Sequence, residues 1–386
     1  MDPGPVPGST KGASDVGKSL DVRIDRLLVG PIVSMMLALG IWVDGASADE
    51  RDGRTIVERE CAACHRLGPP AAATFERLLD RTAPDLFYAG TKFRREWLVD
   101  WLQDPMPIRY SGVVYLNHLG FEGGKDQIAI DTVQSCSAKL DRERAEAVTE
   151  YLMTLEDASM KTGVIEPGKK FSKPKALRLF RKQLPCIGCH TVQWGKRIMG
   201  GVSGPNLADA GNRLNPDWVY ARIENPQHWD PKTWMPRVEM SHKKRELLTR
   251  FISSMKSPAR LDLEKPDAVV QGPAVPMSAF VTREAANGSD PEKNYRLYCV
   301  QCHGSRGNGR GINDTVGGLS VSPKNHVYAE EMVQLSDEEL GMAIAEGGDA
   351  VQKSGLMPPW GQTLSAQEIN DLVLYLRQLC QCKAGG

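Results

Sequence analysis

The chain of 386 residues has no excess of either charge: 48 basic side chains face 48 acidic ones. Nothing global therefore marks a nucleic-acid binder. It has no second long apolar run beside Leu27 to Val43, which excludes a polytopic membrane protein. It has only 9 cysteines, too few for a disulfide scaffold of this length, so their spacing has to be read. Nor does it have the composition of a disordered chain, because 41% of its residues are hydrophobic. The length suits two or three ordinary domains.

The apolar run lies behind Lys18, Arg23 and Arg26 and ahead of Ala46-Ser47-Ala48, a small-x-small cleavage pattern. Seventeen residues are short for a spanning helix. Residues 1–48 are thus expected to be a cleaved signal peptide, with a retained anchor as the alternative that the long leader keeps open. Either places the rest of the chain in the periplasm or on the outer face of the cytoplasmic membrane.

Six cysteines fall into three copies of one pattern: Cys61-Ala62-Ala63-Cys64-His65, Cys186-Ile187-Gly188-Cys189-His190 and Cys299-Val300-Gln301-Cys302-His303. C-x-x-C-H is the attachment signature of c-type haem. Two thiols three residues apart on one helical turn can each add to a vinyl group of the same haem, and the adjacent histidine can ligate its iron. A redox C-x-x-C would not carry His at the same place three times, and a zinc site needs paired ligand clusters. Three covalently attached haem c groups are the expected cofactors.

The surroundings of the first two motifs repeat. Ala83-Pro84-Asp85-Leu86, Gly90 to Arg94, Trp97 to Leu102 and Asp104-Pro105 are matched in order by Gly204-Pro205-Asn206-Leu207, Gly211 to Arg213, Trp218 to Ile223 and Asn225-Pro226. Amphipathic closing helices are expected after Asp141, Ser241 and Ser365, the last with Glu368 as a capping box. Ser172-Lys173-Pro174 and Asp290-Pro291 read as helix starts leading into the second and third motifs.

On these residues each segment resembles a class I cytochrome c domain, and the resemblance covers nearly everything after residue 50. The glycines from Gly304 to Gly311 fit that family's loop after the haem histidine. The resemblance implies a mainly α fold of three tandem domains: 49–162, 163–257 and, after a Pro-rich linker over 258–277, 278–386. A shorter linker, Gly163 to Gly168, separates the first two.

The family often closes the second axial position of the iron with Met, which raises the reduction potential. Met235-Pro236 and Met357-Pro358 match its ligand loops, so His190/Met235 and His303/Met357 are the expected iron ligands. The first segment, with His65, departs from the pattern. It carries Ser135-Cys136-Ser137 where Met-Pro belongs, and an insertion from about Ile108 to Ala138. His118 leads as its ligand, Met106 and Cys136 follow, and an open iron remains. Among Cys136, Cys380 and Cys382 one disulfide is plausible; Cys380-Gln381-Cys382 reads as too tight to pair with itself, and Cys136 to one of them would tie the first domain to the C terminus.

Charge is uneven along the chain. Residues 49–160 carry 14 basic and 20 acidic side chains, residues 161–257 carry 19 and 7, and residues 258–386 carry 11 and 16. A basic middle between acidic ends predicts internal docking plus an acidic partner surface. The leading function is electron transfer between a respiratory donor and acceptor, as subunit or partner of a membrane oxidoreductase complex. The rival is a haem enzyme acting at the first haem on peroxide, nitrite or a sulfur compound. Gas sensing would need an output domain, and none is visible.

Overall fold

Each expected closing helix begins where a side chain can take up an amide left free at its first turn. Asp141 accepts from the Arg144 amide and caps Arg142–Thr154, and Ser241 caps His242–Ser253. Ser365 and Glu368 form the full capping box of Ala366–Cys380. Ser172 caps Lys173–Arg178 and Asp290 caps Pro291–Tyr298, each with proline in the first turn. The computed structural model describes residues 48–69, 74–195, 197–257 and 290–384. The expected signal or anchor segment before residue 48 and the 258–277 linker lie outside these residues.

Helix dominates. The amino-terminal helix Ala48–Ile56 runs into a π-helical turn, Val57–Cys61, and Lys173–Arg178 runs into another, Leu179–Gln183. Arg95–Gln103 and Pro216–Glu224 are the middle helices of the first two segments, and Asp337–Glu346 that of the third. The amino-terminal helix crosses the closing helix Arg142–Thr154 so closely that a Cβ on Gly53 would lie 1.9 Å from the Ala147 carbonyl oxygen. Among the described residues the strands form two short antiparallel hairpins, Leu119–Glu122 with Lys125–Ile128 and Val192–Trp194 with Arg197–Met199. No described helix is long and apolar enough to cross a membrane.

The cores do not follow the segments. One joins the first and second, from Ile56 and Val148 to Phe180 and Phe251. The other joins the third segment to the insertion, through Val114, Tyr115, Leu119 and Ile128. The insertion thus leaves its own segment for the third. Tyr115 donates its hydroxyl to the Arg296 carbonyl at 2.7 Å. The Asp126 amide donates to Arg310 O, and its carboxylate accepts from the Ser305 amide and hydroxyl at 2.7 and 2.6 Å. These bonds run largely to backbone, which no side-chain pattern encodes.

The linker from Gly163 to Gly168 is held to the second segment, where Asp217 accepts from the Gly163 and Ile165 amides at 2.6 and 2.8 Å. Two expectations need correction. Cys380 and Cys382 do pair with each other. Gln381 adopts the left-handed conformation (φ 52°), which turns the chain back and brings the two Cα atoms to 5.1 Å, within disulfide range. The basic run before the second motif does not dock on the other segments: Lys170, Lys173, Lys175, Arg178, Arg181 and Lys182 are exposed, and Lys169, also exposed, pairs with Glu246 of its own segment at 3.3 Å.

Candidate functional site

The three motifs take up one backbone arrangement. The histidine amide donates to the carbonyl of the first cysteine at 2.9 Å in His65, 3.0 Å in His190 and 2.9 Å in His303. The second cysteine's amide bonds to the same carbonyl. One turn therefore carries both thiols and the imidazole. All six thiols are free. Burial pushes Cys61 up to about 11, Cys189 to about 11 and Cys186 and Cys299 to about 12, so these are neutral thiols rather than nucleophilic or metal-binding thiolates.

Each motif histidine is held in the same way. His65 Nδ1 lies 2.7 Å from Pro84 O, His190 Nδ1 2.9 Å from Pro205 O and His303 Nδ1 2.9 Å from Lys324 O. A carbonyl only accepts, so Nδ1 is assigned the proton and the Nε2 lone pair is left for a metal. Burial holds all three imidazoles below the usual histidine range, His190 at about 4. They are neutral, as ligation requires. Pro84 and Pro205 belong to the repeated stretch of the sequence, where only their recurrence was visible. Lys324 lies outside any repeat and was missed.

Met235 and Cys186 pack half-buried against one core, and Met357 and Cys299 against the other. Met357 also borders a cavity of about 500 Å³. Its other wall is the chain entering the second motif, Gln183 and Leu184, and the chain leaving Met235, Arg237 and Val238.

The first segment's candidates separate. His118 keeps its contacts inside the insertion: Nδ1 lies 2.8 Å from Thr132 Oγ1, and a Cβ on Gly112 would meet Nε2 at 2.3 Å. Met106 is half-buried, and its carbonyl accepts from Trp101 Nε1. Cys136 lies near Cys61; after burial, its charge is the next largest influence raising that thiol.

Sequence reasoning also missed a group of cations around the first two histidines. Arg213 is buried, and Arg81, Lys92, Arg109 and Arg222 are half-buried. Burial, then repulsion from the other cations, holds Lys92 well below the lysine range and Arg109 at about 9. Arg109, Arg222 and Arg213 also act on His190, and Lys92 on His65. Asp230 offsets Arg81 at 3.0 Å, while Arg222 donates to the neutral Pro226 O and Thr233 Oγ1. Lys92 stands over the Tyr88, Phe93 and Trp218 rings. Arg213 faces Asp209 at 3.6 Å, so the cations still outnumber the carboxylates that pair with them, and such an excess of charge below the surface is costly and calls for an anion. The two propionates of a haem meet that demand, and the neutral thiols and imidazoles meet the rest. The donor set therefore fits haem c.

Residues 286–376 match the family model described as cytochrome c oxidase, cbb3-type, subunit III. No curated protein and no solved structure matches the chain. The matched stretch contains the third motif and Met357. That stretch is a cytochrome c domain, and such a domain implies covalently bound haem c with its iron.

Proposed function

We propose that the protein is an exported triheme cytochrome c that passes electrons between a respiratory donor and acceptor, as subunit or partner of a membrane oxidoreductase complex. The carrying observation is the threefold recurrence of one turn with two free thiols and an imidazole whose Nδ1 is committed to a carbonyl. A bound haem supplies a one-electron couple at the iron. In this reading Cys61 and Cys64, Cys186 and Cys189, and Cys299 and Cys302 anchor three haems. His65, His190 and His303 ligate their irons, with Met235 and Met357 opposite the second and third. The cations between the first two segments neutralise propionates.

At the first haem His118 leads as the ligand, with Met106 and Cys136 as the alternatives. Cys136 precedes its capping residue, Asp141, much as Met235 precedes Ser241, and its thiol lies near Cys61. A thiolate ligand there would lower the potential relative to Met. This departure supports the second reading, a haem enzyme acting on a small molecule at the first haem. A low-spin first haem that ignores cyanide and nitrite favours the carrier, and a high-spin one that binds them favours the enzyme.

The exposed basic run from Lys169 to Lys182 suits an acidic partner surface next to the second motif. The match to an oxidase subunit type points to a respiratory partner. Residues 49–162, 163–257 and 278–386 are proposed as the three cytochrome domains, and the leader as the signal that places them in the periplasm or on the outer membrane face. Mass spectrometry of the denatured protein should show three haem additions, and two or fewer from a host competent in cytochrome c maturation refutes the triheme reading. Purification from native membranes should bring an oxidoreductase with it.

A further inference from the structure

The second cysteines of the second and third motifs meet at one side chain. Asn313 Nδ2 lies 3.4 Å from Cys302 Sγ and 3.9 Å from Cys189 Sγ, and donates to Ser203 Oγ at 2.9 Å. Its Oδ1 accepts from the Val202 and Ser203 amides at 2.9 and 3.0 Å. Gln301, inside the third motif, accepts at Oε1 from Ser203 Oγ at 2.6 Å and from Cys189 Sγ at 3.5 Å. Asn313 and Ser203 are 0% exposed and Gln301 2%, so water does not satisfy these groups and they must satisfy one another.

The backbones close in around this bridge. A Cβ on Gly201 would lie 2.7 Å from Asn313 Oδ1, and one on Gly317 would lie 2.7 Å from Gly201 Cα. The Leu356 carbonyl oxygen, next to Met357, would lie 3.3 Å from a Cβ on Gly188, inside the second motif. Contact between the two sites is thus made on several sides.

We propose that Asn313, with Gln301 and Ser203, is a positioning clamp that holds Cys189 against Cys302, so that the haems of the second and third motifs form a directly coupled pair. The proposal rests on the triheme reading. Attachment is compatible with the clamp. Each thiol adds across a vinyl group, its sulfur bonding to one vinyl carbon and its hydrogen going to the other, with no oxidant or reductant needed. The Cys189 S–H donated to Gln301 is consumed. The sulfur keeps its lone pairs, so the Asn313 N–H not taken by Ser203 Oγ goes on pointing between the two sulfurs, nearer Cys302 than Cys189. The two sulfurs sit at the rims of their haems, so a shared hydrogen-bond donor places the rims together. Electrons then pass between these two haems without crossing the first.

The test uses the intact holoprotein. Haem count by mass spectrometry comes first, and fewer than three haems overturns the triheme reading and the pair with it. With three present, electron paramagnetic resonance is recorded at potentials where one haem of the pair is ferric and its partner is either ferric or diamagnetic ferrous. The relaxation of the ferric haem should slow when its partner is reduced. Relaxation indifferent to the partner's state overturns the pair and leaves the triheme reading standing. Asn313→Asp then tests the clamp. It keeps the acceptor for Val202 N and Ser203 N but turns an oxygen, not an N–H, toward the sulfurs. The potentials of both haems should fall while that of the first haem stays. A shift in only one of the pair, no shift, or an equal shift in all three rejects Asn313 as a clamp. Asn313→Gln, which restores an amide, should bring both potentials back toward wild type.

Discussion

Phe93 and Leu214 face each other across an isolated antiparallel bridge between the first and second segments. The bonds beside them are reciprocal: the Arg94 amide donates to Arg213 O, and the Asn215 amide donates to Lys92 O, both at 2.9 Å. Gly90 N bonds to Leu155 O and Gly211 N to Met255 O, each just past its own closing helix. The repeated stretch of sequence therefore meets itself about a local pseudo-two-fold, as in a dimer interface built from one patch. That symmetry puts Lys92 and Arg213 at equivalent places, one for each histidine.

Phe93 is 8% exposed and Leu214 4%. Phe93→Ala should cost about 3–5 kcal/mol and Leu214→Ala about 2–5 kcal/mol. In urea denaturation the double variant should lose less than the two single losses combined, with a coupling of roughly 0.5–3 kcal/mol. Strict additivity would show that the bridge is not an energetic contact.

Asp126 predicts a pH dependence. Burial raises its carboxyl from 3.8 to about 6, against the pull of the Ser305 hydrogen bonds. An acid whose folded pKa is raised is least costly below its unfolded value. Stability should therefore fall as pH rises from about 4 to about 6 and then level off, by at most about 3 kcal/mol. Asp126→Asn should lack this step, so that it appears in the difference between the two proteins' stability profiles. An unchanged profile would show that the carboxyl does not titrate in that window.

Arg213 donates to Asn206 O at 2.7 Å and adds to the positive field at His190. Arg213→Met removes a cation that opposes oxidation of the adjacent iron. In the triheme reading, the second haem's potential should drop by roughly 60 mV, the one-electron equivalent of about 1.4 kcal/mol. A redox titration in which that component stays put would place the guanidinium's partner elsewhere.

Thiol chemistry checks the cysteine assignment. The triheme reading puts six cysteines on haems, and with Cys380 joined to Cys382 one thiol remains, Cys136. Denatured, unreduced holoprotein should titrate one thiol and gain two on reduction. Cys136→Ala should titrate none before reduction. Two thiols that persist in this variant would mean that Cys380 and Cys382 are not paired.

The sequence by itself determined what is local. Spacing of three residues defines the haem turns, because a helical turn brings those positions together whatever surrounds it. Capping residues at Asp141, Ser241, Ser365, Ser172 and Asp290 placed helix starts for the same reason. Tertiary structure alone decided what depends on which surfaces meet. The 108–138 insertion crosses to the third segment through buried Asp126 and backbone bonds. The carbonyl of Lys324 reaches His303 from 21 residues away. Asn313 and Gln301 are unremarkable polar residues until burial leaves them each other and two sulfurs as partners. The cations around His65 and His190 read as ordinary surface charge until packing turns them inward. Even the Cys380–Cys382 pair depended on one left-handed residue, Gln381, a backbone choice that composition does not announce.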